Sequence, residues 1–179
     1  MPVHAAGIYA GEGVLTNLTE YAISSYIPSI GALQTPHPPS NPLKVVVAIP
    51  CSPRLPPLPQ TKKELEKIAK IVPQNSLCSL VGPNASAKNV LEELATATVA
   101  HFACHGEQNM ANPLESSLIL HKDRLKISEF MQERMPNTSL VFLNACHTAT
   151  GAQELPDEAI HLASAMLFSG FRGAIATLW

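Results

Sequence analysis

The apolar positions of this chain follow two periods that alternate along its length. Short runs rich in β-branched residues predict strands at "LKVVVAIP" (43–50), "SLCSLVG" (76–82), "TVAHFACHG" (98–106), "LVFLN" (140–144) and "AIATLW" (174–179). The first run is continuously apolar, as in a strand covered on both faces. Between the runs the spacing becomes helical. "TKKELEKIAKIV" (61–72) presents Leu65, Ile68, Ala69 and Val72 on one side, and Thr61 with Glu64 reads as a capping box. "SAKNVLEELATA" (86–97) turns Val90, Leu91 and Leu94 inward. "SSLILHKDRLKISEFMQERM" (116–135) holds a short strand, a turn at His121–Arg124 and a helix from Ser128. A further helix falls near Asp157–Phe168, where Asp157 and Glu158 suit the N-terminal dipole. Strands that alternate with amphipathic helices predict an α/β fold: a mostly parallel sheet with helices on both faces, and functional groups at the carboxyl ends of its strands.

The first part of the chain breaks this rhythm. Residues 1–42 read as an irregular segment, with one helix-like stretch at 18–34 and a proline-rich linker, "TPHPPSNP" (35–42). The ordered domain is expected over 43–179. "CSPRLPPLPQ" (51–60) is too proline-rich for regular structure. With 179 residues and a formal net charge of -2, the chain is long enough for one real core and lacks the basic balance of a nucleic-acid partner. It has no apolar run of about 18 residues, so no membrane span is expected, and its start does not read as a signal peptide. Four cysteines without a C-x-x-C pair fit reduced thiols and a cytoplasmic location better than a disulfide framework.

Candidate chemistry concentrates where two strands end. "HFACHG" and "LNACHTATG" both carry Ala-Cys-His. If the two strands are neighbours, the ends meet. A cysteine nucleophile needs an imidazole or another thiolate-stabilising group beside it. Two pairings are open, His105 with Cys146 and Cys104 with His147. Strand alternation sets Cys104 on the side away from His105, against a helix, so the His105–Cys146 pairing is preferred. Gly106 after His105 reads as a turn with its N–H turned to a substrate. Asn144 and Thr148 flank Cys146 and read as supports of its loop. The plainer readings stand beside these: Cys146 as a small core residue, Cys51, Cys78 and Cys104 as packing, and His121, His147 and His161 as hydrogen-bonding or surface groups. A zinc site from the two Cys-His pairs is disfavoured, because adjacent residues point to opposite sides of a strand.

The segments "HAAGIY" (4–9), "VAHFACHGEQNMANPLESSLIL" (99–120), "LVFLNACHTATG" (140–151) and "LPDEAIHLASAMLFSGFRGAIATLW" (155–179) together resemble the CHAT domain, the caspase-like domain often found beside TPR repeats, with wording similar to fungal members. The resemblance implies a caspase-like three-layer α/β/α sandwich and a cysteine peptidase acting on a protein or peptide substrate. It implies a Cys146–His105 dyad, and an oxyanion hole from the backbone N–H groups of Gly106 and Cys146. It implies no metal or cofactor, and a TPR-containing regulatory protein or domain as partner. Family members continue past "TLW", so the resemblance also implies a domain truncated at its C-terminus, short of part of its substrate pocket. The alternative is a catalytically silent interaction module or an inactive fragment.

Overall fold

The computed structural model describes residues 42–107, 109, 111–133, 135, 137–147 and 159–176. Its elements run in the order β1 (Val45–Ile49), α1 (Gln60–Ile71), β2 (Leu77–Val81), α2 (Ala87–Leu94), β3 (Val99–Glu107), β4 (Ser117–Ile119), β5 (Arg124–Lys126), α3 (Ile127–Gln132), β6 (Leu140–His147), α4 (Ala159–Phe168) and β7 (Gly173–Ala176). All seven strands share one sheet. β2, β1, β3, β6 and β7 are parallel, each to its neighbour. β4 and β5 form an antiparallel hairpin that pairs with the end of β3.

Two clusters of buried side chains make this a three-layer α/β/α sandwich, as expected. On one face Val45, Val47, Ile49 and Ala103 lie under Leu65 and Ile68 of α1 and Val72 just after it. On the other, Val46, Ala48, Phe102, Cys104 and Leu143 meet Val90 and Leu94 of α2, Phe130 of α3, and Leu162 and Met166 of α4. β1 is buried at every position because both faces are covered. Phe102 and Phe130 meet edge to face, with ring centroids 6.0 Å apart. Gly170 carries the chain from α4 towards β7 at φ 115°, where a Cβ would come within 2.9 Å of the Met135 carbonyl oxygen. Among the described residues, no helix is long and apolar enough to cross a membrane.

Several local expectations need correction. α1 begins at Gln60 after Pro59 with no side-chain cap. Thr61 is buried and its hydroxyl donates to the Leu58 carbonyl, 2.7 Å away, so no capping box forms. Ala69 is exposed rather than inward. The single strand expected near 116–120 is a hairpin, closed by the Leu120 N–H on the Asp123 carbonyl, and α3 starts one residue early at Ile127. The strands expected to end at Gly106 and Asn144 run on to Glu107 and His147, because each completes the other's hydrogen-bond ladder. Gly106 is therefore inside a strand, paired with Leu118 and His147, and makes no turn. Cys51 is exposed, not packed.

Phe130 is fully buried on the face shared by α3 and α4. Phe130→Ala is expected to cost about 3–5 kcal/mol, read as a lower urea midpoint at an unchanged slope.

Candidate active site

The site is built on a step in the sheet. β1 pairs with only the first half of β3, from Val99 to Phe102, and stops at Ile49. β3 continues, and β4 takes over the same edge from His105 to Glu107. Along its other edge β3 runs beside β6 from Val99↔Leu140 to Gly106↔His147. This register sets His105 directly opposite Cys146, with neighbouring backbones about 4.8 Å apart. Cys146 is described by its backbone alone. Alternation from Phe142 and Asn144 assigns position 146 to the α1 face, the face that His101, Ala103 and His105 share. Cys104 is buried on the opposite face, so Cys104 and His105 cannot chelate one ion.

His105 is buried, at 8% exposure. Its Nε2 lies 2.9 Å from the Pro56 carbonyl oxygen. A carbonyl only accepts, so Nε2 must carry a proton and donate it. In the neutral imidazole, Nδ1 is then the bare acceptor. That Nδ1 is buried and has no hydrogen-bond partner among the described residues. The arrangement is a base with its tautomer fixed by the backbone and its lone pair uncommitted.

Pro56 belongs to the proline-rich loop that leaves β1 at the step. Pro57 behind it restricts Pro56 to extended backbone. The loop is held a second time by His121, in the β4–β5 turn, whose Nδ1 donates to the Cys51 carbonyl 2.6 Å away. His121 is thus the hydrogen-bonding group expected of it. Nothing in the sequence marks Pro56 itself, because its contribution is a backbone carbonyl. The only signal is a proline run directly after a buried strand.

A second polar group lies lower on the same face. Glu64 of α1 accepts from Asn144 Nδ2, 3.2 Å from each of its carboxylate oxygens. His101 Nε2 sits 3.1 Å from Glu64 Oε1, an ion-pair contact without hydrogen-bond alignment. The His101 ring also leans on Phe142, with centroids 5.8 Å apart. Glu64 and His101 were not expected at the site. Asn144 was expected to support the loop beside Cys146, and it is instead a strand residue tied to α1. Thr148, Asp157, Glu158, the stretch 18–34 and the side chains of His147 and His161 lie outside the described residues.

Burial pushes the His101 pKa below its ordinary 6.5, while the Glu64 carboxylate pulls it partly back. The unfolded chain therefore binds this proton first as pH falls. His101 contributes stability that is complete above about pH 6.5 and is lost on acidification through the folded-state pKa below it. Urea midpoints at pH 7.5 and pH 5.5 should differ more in the native chain than in His101→Phe. Equal pH dependence in the two would remove His101 from the account.

The model of the CHAT domain matches residues 1–179. No curated protein matches the chain. The match spans the whole sequence, and the parallel sheet between two helical layers is the architecture that the caspase-like class requires. The chain belongs to the CHAT domain family.

Proposed function

We propose that this chain is a cysteine endopeptidase domain of the caspase/separase-like type, with Cys146 as nucleophile and His105 as its base, and residues 43–179 as the catalytic unit. The observation that carries the reading is the uncommitted Nδ1 of a buried His105 at the register position opposite Cys146. A free thiol is mostly protonated at neutral pH, so a cysteine nucleophile depends on such a neighbour.

In the proposed reaction His105 takes the thiol proton, and the Cys146 sulfur attacks the scissile carbonyl. The Cys146 Sγ–carbon bond forms, and the carbonyl oxygen takes up negative charge. The backbone N–H of Cys146 is the proposed donor to that oxygen, while Gly106, paired on both edges of its strand, is not kept as a second donor. The imidazolium returns its proton to the leaving amine as the C–N bond breaks. Water, deprotonated by His105, then attacks the thioester, and the thiol and a carboxylic acid leave. Throughout, Pro56 keeps the ring in one orientation and accepts from Nε2 in both protonation states.

The substrate is a protein or peptide. A TPR-containing protein or domain is the proposed regulator, since CHAT domains occur with TPR repeats. Four cysteines without a C-x-x-C pair support a reducing, cytoplasmic setting.

Incubation with a peptide library, with new termini mapped by mass spectrometry, tests the reading. Cys146→Ala should reduce cleavage to background, and His105→Ala should lower it about 10²–10⁴-fold. Cleavage that persists undiminished in Cys146→Ala would sink the proposal.

A further inference from the structure

We propose that Glu64 is a positioning residue for the His105–Cys146 pair, one carboxylate that holds both the strand bearing Cys146 and the helix following the loop that orients His105. The inference rests on the peptidase reading above and adds to it a residue whose described partners are Asn144 and His101.

The geometry runs through two short links. Glu64 holds Asn144 at 3.2 Å. Asn144 is two residues before Cys146 on β6, one strand repeat of about 6.8 Å. Glu64 is also in the first half of α1, which begins at Gln60. Pro56, whose carbonyl accepts from His105, is four residues before that start. A shift of α1 against the sheet therefore moves the Pro56 carbonyl, and a shift of β6 moves the Cys146 backbone. Glu64 ties α1 and β6 together, with His101 on the central strand as a third contact at 3.1 Å.

The chemistry of the position favours a positioning role over packing. The other inward residues near the sheet are Leu65 and Ile68 of α1 and Val72 just after it. An apolar residue would cover the sheet at position 64 without desolvating a carboxylate. A half-buried carboxylate that holds the amide of a neighbouring strand is a poor way to fill space and a good way to fix register. Small misplacements of reacting groups carry large rate penalties.

Alkylation of Cys146 by iodoacetamide, followed by peptide mapping of the full chain, reads the thiol without needing a substrate. Exposed Cys51 serves as an internal rate standard, and buried Cys104 reports any opening of the core. Glu64→Leu is expected to slow Cys146 alkylation about tenfold at pH 7 and to move its pH midpoint up towards that of an ordinary thiol, about 8.5. Glu64→Gln keeps an acceptor for Asn144 and should stay within about threefold of the native rate. Cys104 should remain protected in both. An unchanged Cys146 rate and midpoint in Glu64→Leu, with Cys104 protected, overturns the proposal. If Glu64→Leu exposes Cys104, Asn144→Ala decides: it should slow Cys146 with the core closed, and a native rate there overturns the proposal equally. His105→Ala separates the two levels. If it slows Cys146 and Glu64→Leu does not, the positioning role alone falls. If His105→Ala leaves Cys146 unchanged, the peptidase reading falls and takes this one with it.

Discussion

The parallel ladder between β3 and β6 is the constraint on which the rest depends. It sets His105 opposite Cys146 through main-chain hydrogen bonds, which do not depend on which side chains the strands carry. A slip of one residue would turn His105 to face an alternate position and send the next side chains to the wrong face. That slip is opposed on both sides of the sheet. Phe102 and Leu143 are committed to the core beneath α2 to α4, while Ala103 is buried beneath α1. Burial of both faces makes the register costly to change, and the register in turn keeps two polar positions in line.

The step in the sheet follows from strand length. β1 ends early, so the chain leaves the sheet beside the final residues of β3 and not beyond them. β4 fills the edge that β1 vacates, which keeps the backbone of His105 and Gly106 paired and extended. The loop released at Ile49 is then free to pass over the α1 face, where the Pro56 carbonyl meets His105. A longer β1 would have occupied this edge. The short strand, the proline-rich loop and the hairpin are thus parts of one arrangement, with His121 and His105 each donating to a carbonyl of the same loop.

The layers and most of the core were legible because hydrophobic period reports burial directly. "VVVAI" reads as a strand covered on two sides and is one, and the stretch around Val90 and Leu94 reads as a helix facing inward and does so. Strand ends were harder to read. Small and polar residues such as Gly106 and Asn144 resemble turns when taken alone, yet a partner strand holds both extended. Glu64 was misread for a related reason. Three residues after a threonine it has the spacing of a capping box, but Pro59 already starts the helix and the carboxylate finds Asn144 across the sheet. Such long-range partners, and backbone carbonyls such as that of Pro56, have no local signature. The register that sets His105 opposite Cys146 was inferable because both motifs were visible and sequential parallel strands tend to be neighbours.

The α1 face is consequently asymmetric in its physics. Towards β1 it is an apolar contact, with Leu65, Ile68 and Val72 over valines and an isoleucine. Towards β6 it becomes polar, with Glu64, His101 and Asn144. Apolar contacts hold the helix down but tolerate small sliding, since dispersion is weakly directional. Charge-assisted contacts tolerate it less, because a half-buried carboxylate that loses its partner retains part of its desolvation cost. The helix is therefore fastened loosely where only packing is required and tightly beside the strands that carry His105 and Cys146. The partly lowered His101 pKa belongs to the same balance: burial opposes the charge that would strengthen the Glu64 contact, so at neutral pH the fastening rests chiefly on the Asn144 amide.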